Sequence, residues 1–354
     1  MSLAVQSQYI VNRTGYGTAS VVHYLIMNSI HPDYRINAVQ ATGTPCLYFR
    51  KYTIGDGTNR LSRHTITQVL LHPVTYLTCA VSQSIKSDDA VCNTFRKPDL
   101  EKFYLDTFVG AHVDGIIYTF LPSFPRLVEQ ISSSTPTVII GEKLDDLSIC
   151  SIELSNVNAG AMLAEHLYQL GHRKLVFIST PFNQLTLARE QRLEGIRKQL
   201  ELHGVTDGLE VLVADRQAEA DSQDDGLPYE YSVGRQLTAE LIRRESMATA
   251  LIGVNDMTAL GILSELAAQG LRVPRDFSVC GFDNIFSSSI TTPGLTTIDH
   301  HLRTRCQAAV DMVITQSTPS RIPTPFVNKI EYTPQLIVRG SAGQSPTHRS
   351  SEKI

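Results

Sequence analysis

The chain has no run of about 18 apolar residues, so it carries no candidate membrane-spanning helix. Its first residues also lack the basic-then-apolar pattern of a secretory signal, which points to a cytoplasmic protein. Cysteine is sparse and scattered. The six residues Cys46, Cys79, Cys92, Cys150, Cys280 and Cys306 include no C-x-x-C pair and no cluster at zinc spacing, so they read as buried thiols in a reducing compartment. No phosphate-binding glycine loop is present. Gly-x-Gly occurs only at Gly15-Tyr16-Gly17 and Gly55-Asp56-Gly57, and neither leads into the third glycine and helix that phosphate binding needs. No Ser/His/Asp arrangement stands out, and adjacent histidines such as His300-His301 point about 100° apart on a helix. No catalytic residue, metal or cofactor is expected, and the chain does not read as an enzyme.

The 354 residues are 42% hydrophobic and 19% charged, which suits a soluble globular protein of two or three domains. The net charge of −4 hides an asymmetry. Residues 1–65 carry Arg13, Arg35, Arg50, Lys51, Arg60 and Arg63 against Asp33 and Asp56, a balance of +4 that leaves −8 on the remainder. A basic first segment on an acidic body fits a nucleic-acid-binding head on a sensor.

Residues 1–65 are otherwise hard to read. Thr18 to Met27 can form one helix, but glycines and Pro45 interrupt its surroundings and no clean helix-turn-helix stands out. Thr65 to Leu77 is rich in β-branched and apolar residues, with Pro73 excluding a long central strand. From Ala90 the pattern is regular. Strands are predicted at 90–94, 114–120, 137–140 and 148–154, with helices at 98–109 and 124–132 between them. A second alternation follows: helices at 158–170, 187–203 and 229–244, strands at 174–179 and 210–214. The acidic stretch 215–228 reads as a solvated loop. Such alternation predicts mostly parallel sheets covered by helices on both faces, arranged as two lobes with a ligand cleft between them.

The most informative stretch is Ala250 to Ile298. It reads as strand, helix, strand, with Asn255-Asp256 and Asp283-Asn284 at the carboxyl ends of neighbouring parallel strands, where open α/β sheets bind ligands. Asn255 can cap the following helix, and Asp256 is expected to stabilise that helix's positive end more than to bind anything. Thr119 and Glu142 fall just after first-lobe strands and could face the cleft. A helix at 300–315 and closing strands within 326–338 complete the body, and the polar residues 341–354 are expected to be disordered.

Several segments, in this order, resemble the lactose/purine-repressor family of bacterial transcription regulators. They are VCNTFRKPDLEKFYL (91–105), HVDGIIYTF (112–120), NAGAMLAEHLYQLGHRKLVFIS (158–179), AREQRLEGIRKQL (188–200), VNDMTALGILSELAAQGLRVPRDFSVCGFDN (254–284) and PGLTTI (293–298). The resemblance implies an α/β, two-lobed, periplasmic-binding-protein-like sensor that closes on a small effector, often a sugar or nucleobase. It also implies a homodimer that transmits closure to operator DNA. By the same resemblance Arg192, Asn255 and Asp283 contact the effector, Arg189 assists, and Tyr229 stacks on it.

The domains then expected are an atypical or degenerate DNA-binding head and hinge at 1–65, a two-lobed effector-binding sensor at 66–340, and a tail at 341–354. The lobe boundary falls near 155–172 and the chain crosses back near 285–325. The first quarter departs from the family pattern. Only Thr18-Ala19-Ser20-x-Val22 echoes the usual recognition helix, and nothing between Arg60 and Asp88 resembles the usual first sensor strand and helix. A small-molecule (sugar) binding protein without DNA-binding function is the alternative.

Overall fold

The computed structural model of the chain describes residues 52–53, 62–63, 65–68, 89–92, 94, 97–141, 143, 146–182, 187–215, 227–317 and 329–346. The expected helix at 18–27, Glu142, Cys46, Cys79 and most of the acidic loop lie outside the described residues.

Two short antiparallel strands, β1 (Tyr52–Thr53) and β2 (Ser62–Arg63), precede two six-stranded sheets. The first sheet is built from β3 (Thr65–Gln68), β4 (Asp89–Cys92), β5 (Gly115–Tyr118), β6 (Thr137–Ile140), β7 (Cys150–Leu154) and β13 (Lys329–Tyr332), in the order β13-β7-β6-β5-β3-β4. All its pairings are parallel. The second contains β8 (Leu175–Ser179), β9 (Leu209–Val213), β10 (Ala250–Gly253), β11 (Ser278–Phe282), β12 (Thr296–Asp299) and β14 (Gln335–Ile337), in the order β14-β12-β11-β10-β8-β9. Only β14 runs antiparallel there. In each sheet the first strand lies inside and the second at its edge, so chain order reverses beside the first strand. That reversal opens a crevice at the strands' carboxyl ends.

β3 occupies the first-strand position between β4 and β5. It falls at the start of the β-branched run read at 65–77, although the segment between Arg60 and Asp88 does not resemble the family's usual first strand and helix in sequence. Four residues are too few for a periodic signal, and pairing on both sides, not local pattern, defines the element.

The inner strands β5, β6, β7, β8, β10 and β11 are buried on both faces, and successive side chains serve opposite layers. In the first sheet Ile116, Tyr118 and Ile139 pack with Leu105 and Phe108 of α1 (Pro98–Gly110) and with Val128 and Ile131 of α2 (Pro125–Ser132). On the other face Ile117, Val138 and Ile140 meet Cys306, Ala309, Val310 and Val313 of α8 (Leu302–Ser317). In the second sheet Leu175 and Phe177 face α3 (Asn156–Gln169) and α4 (Leu187–Leu202), whereas Val176 and Ile178 face α5 (Tyr229–Arg243) and α6 (Asp256–Ala268). Cys92, Cys150, Cys280 and Cys306 are buried and outside any disulfide, as expected. No helix among the described residues is long and apolar enough to cross a membrane.

The chain passes between the sheets three times: between β7 and α3, between β12 and α8, and between β13 and β14.

Residues 341–346 are not disordered, contrary to the expectation from their polarity. Ser341 is fully buried; its hydroxyl donates to Val279 O (2.6 Å) and accepts from Thr296 N (2.8 Å). Further on, Gly343 N donates to Ser278 Oγ (3.0 Å) and Ser345 N to Leu170 O (2.8 Å). Small polar residues here satisfy backbone groups left open at the amino ends of β11 and β12, so composition alone misjudges them.

Candidate functional site

Three strand ends of the second sheet, those of β10, β11 and β12, converge with the start of α3 on one buried guanidinium. Arg192 sits mid-way along α4, 8% exposed. Its Nε donates to Asn156 Oδ1 (3.0 Å), one terminal nitrogen to Val254 O (2.7 Å), and the other to Asp283 Oδ1 (3.2 Å). The ring of Phe282 lies 4.9 Å beneath the guanidinium carbon, a cation–π contact on its remaining face.

Close helix packing puts Arg192 there. A Cβ on Gly160 of α3 would lie 2.0 Å from Arg192 O, and one on Gly195 of α4 would lie 1.9 Å from Val157 O. Only glycine permits this approach. It brings Arg192 against Asn156 at the start of α3, where Ser155 caps the helix by accepting from Asn158 N. Gly234 and Gly261 let α5 and α6 cross in the same way on the opposite face.

Asp283 follows β11 with a φ of 110°, and Asn284 follows with 51°, both in the region that non-glycine residues seldom adopt. The turn is fixed from several sides. Asp283 N donates to Ile298 O (2.9 Å), Arg339 donates to Asn284 Oδ1 (2.6 Å), and Asn284 Nδ2 donates to Asp299 Oδ2 (3.2 Å). Asp256 closes it from below. Its fully buried carboxylate accepts from Ile285 N (3.0 Å), Ser288 Oγ (2.6 Å) and Thr297 Oγ1 (2.5 Å). Asp256 therefore staples the start of α6 to β12 and to α7 (Phe286–Ile290), a larger structural role than helix stabilisation alone. Burial, and then the Asp283 charge, push its carboxyl up to about 7. At Asp283 burial also raises the carboxyl, opposed by the Arg192 and Arg189 charges.

Asn255 caps α6, its Oδ1 accepting from Thr258 N (2.9 Å) and Thr258 Oγ1 (2.9 Å). The cap uses the carbonyl oxygen of the amide and leaves the NH2 group for other contacts. Arg189, one turn before Arg192, donates to Thr180 Oγ1 at the end of β8 and lies 3.7 Å from Glu230. Tyr229, at the start of α5, packs against the core cluster that includes Val176, Val233 and Leu237. Arg192 and Asp283 are thus in direct contact and Arg189 lies within their field. Asn255 follows Val254, whose carbonyl Arg192 engages, and Tyr229 packs on the core beside Glu230. Thr119 is half-buried at the end of β5.

Two contributors escaped the sequence reading. Asn156 is one. The other is His300, 5% exposed, whose Nδ1 lies 3.3 Å from Asp283 Oδ1 and 3.4 Å from Arg192. The rule that singled out Asn255 and Asp283 applies equally to it, since it directly follows β12. Its neighbour His301 turns away to Thr333 O (3.1 Å).

A cavity of about 400 Å³ adjoins this cluster through Asn156. It is lined by first-sheet residues Glu153, Lys329 and Glu331 together with Ser155, Leu187 and Gln191. Its volume lies within the range of small-molecule sites.

Residues 164–342 match a family profile described as periplasmic binding protein-like domain. The HTH-type transcriptional repressor PurR of Glaesserella parasuis serovar 5 (strain SH0165) is 30% identical over 258 residues, 71% of each chain. The chain belongs to the lactose/purine-repressor family. Solved members of this family share the fold. A LacI family transcriptional regulator from Enterococcus faecium with bound ribose superposes with a TM-score of 0.65 at 22% identity, covering 79% of this chain and 99% of that one. The Lac repressor dimer bound to operator and the anti-inducer ONPF superposes at 0.63 and 22% identity, covering 79% and 93%. These relatives are named as transcriptional regulators, not enzymes.

Proposed function

We propose that the protein is an effector-responsive transcriptional regulator of the cytoplasm, in which a small effector, a sugar or related metabolite, binds the second-lobe cluster and changes affinity for operator DNA. The observation that carries this reading is the Arg192–Asp283 pair at 3.2 Å, buried at converging strand ends beside the inter-sheet cavity. Arg192, Asn255 and Asp283 supply the polar contacts, Arg189 supports the guanidinium side, and Tyr229 borders the site from α5. The sensor spans residues 66–340 and the basic residues 1–65 form the DNA-binding head. Operator DNA and a second copy of the chain are its partners, as in the repressor dimer whose fold it shares.

The test is a salt-series gel shift with palindromic DNA from the protein's own upstream region, with and without a sugar identified by calorimetry. Binding should weaken steeply with salt and respond to the sugar. Asp283→Asn, which keeps the shape of the side chain, should lower sugar affinity by at least tenfold while DNA binding persists. Unchanged sugar affinity sinks the site. Sugar binding with no DNA binding at low salt leaves the alternative, a sugar-binding protein without DNA function.

A further inference from the structure

Beyond the facing pair Asp299 and Gln335, two of the three inter-lobe crossings run side by side. These residues close the pairing of β12 with β14. One segment then enters α8 and the other arrives from β13, and Leu302 and Tyr332 at their far ends pack on the same first-sheet core cluster. Each segment is thus anchored in both lobes, and a change in the angle between the lobes must turn both.

A polar chain ties these crossings to the effector turn. Arg339 donates to Asn284 Oδ1 (2.6 Å), and a guanidinium only donates, so the Asn284 amide is oriented with its NH2 group towards Asp299 Oδ2 (3.2 Å). The other carboxylate oxygen of Asp299 accepts from His301 N (2.8 Å). His301 is left-handed there, with a φ of 50°, and its carbonyl accepts from Arg305 N (3.0 Å) in the first turn of α8. Its Nε2 lies 3.1 Å from Thr333 O in the third crossing. A carbonyl only accepts, so Nε2 carries the proton and donates. One carboxylate therefore serves both the effector turn and the second crossing, and one imidazole joins the second crossing to the third. Neither residue is among the effector contacts proposed above.

We propose that Asp299 and His301 are positioning residues of the effector response. Asp299 passes the setting of the Asp283–Asn284 turn to the second crossing, and His301 makes the second and third crossings turn together as the lobes close. This rests on the effector-sensor reading above and adds how the second lobe drives the first.

The test separates binding from closure in the full chain. Calorimetry with D-ribose and D-glucose reads binding, and small-angle scattering with and without the bound sugar reads closure. Asp299→Asn keeps the side-chain shape but offers one acceptor oxygen to two donors. His301→Ala and His301→Gln carry the same Cβ at the same φ, and only glutamine supplies a donor in place of Nε2. Wild type and His301→Gln should bind a sugar and compact. Asp299→Asn and His301→Ala should bind it with affinity reduced by no more than about fivefold, the low end of allosteric coupling, and should lose most of the compaction. The double variant should lose no more than either single one, because the two links act in series; independent structural losses would add.

Compaction of wild-type size in Asp299→Asn or His301→Ala, or a His301→Gln protein that compacts no better than His301→Ala, overturns the inference and leaves the sensor reading standing. A larger loss of affinity in the two variants gives them a role in binding itself and overturns it as well. A wild type that binds without compacting sinks it alone. Binding of neither sugar sinks it together with the sugar reading of the cleft.

Discussion

His172 shows how single buried groups set the stability of this fold. It is fully buried, with Nε2 3.0 Å from Gly343 O and 2.9 Å from Ser278 Oγ, and Nδ1 2.8 Å from Thr249 Oγ1. A carbonyl can only accept, so Nε2 carries the proton and Nδ1 accepts from Thr249. Burial lowers the imidazole's proton affinity; the Gly343 hydrogen bond opposes this, and the His166 and Arg173 charges add to it. The unfolded imidazole titrates near its ordinary value of about 6.5, so below that pH the unfolded chain takes up a proton that the folded chain refuses. Its contribution is therefore present above pH ~6.5 and is lost as the pH falls from there towards the lower folded value. In urea unfolding at pH 7.0 and 5.5, His172→Gln should lose less stability on acidification than the wild type. It should also cost about 1–3 kcal/mol at pH 7 through unsatisfied partners. Equal acid losses in the two proteins dismiss this account.

At the scale of elements, what the sequence disclosed depended on how local the cause was. The second alternation was legible because its strands are apolar runs of five residues and its helices carry apolar residues at three and four. Ser278–Phe282 and Leu187–Leu202 fall within a few residues of expectation. Asp283 and Asn255 were legible as strand-end polar residues, yet the contact between Arg192 and Asp283 joins positions 91 apart, and no spacing rule reaches that far. Asn156 stayed hidden because it joins the cluster only when α3 is brought beside α4, whereas His300, directly after β12, was within reach of the same strand-end rule. The glycines that enforce the α3–α4 approach were also silent, since glycine inside a helix usually signals only a weaker helix. Gly160→Ala should therefore destabilise the protein by about 1–3 kcal/mol in urea unfolding, since its Cβ would press on the Arg192 carbonyl, and should displace Arg192 as well. Gly110→Ala is the control. No atom lies within 4 Å of its Cβ position, and it should be neutral or stabilising by up to about 1 kcal/mol. Equal effects at the two sites remove the packing argument.

For the whole molecule, the placement of the site relative to the crossings determines what binding can do. The groups that hold the proposed effector, Arg192, Asn255 and Asp283, all belong to the second sheet and its helices, whereas Glu153, Lys329 and Glu331 line the adjoining cavity from the first. An effector that bridges the second-lobe cluster and these first-sheet residues would favour whichever arrangement brings the two closer, since a ligand shifts an equilibrium by its differential affinity. The path is short. His300 stands at the end of β12, two residues before α8, and Arg305 of α8 donates to Ile152 O of the first sheet (3.0 Å). Effector binding at the proposed site beside Asp283 should therefore be felt where the chain crosses between lobes. A sugar at a hundred times its Kd should stabilise the protein by about 2.7 kcal/mol and raise Tm by about 2–4 °C. It should at the same time shrink the radius of gyration in small-angle scattering. Asp283→Asn should lose both responses together. A Tm rise without compaction would mean that the second lobe binds its ligand without recruiting the first, and closure would then have no part in signalling.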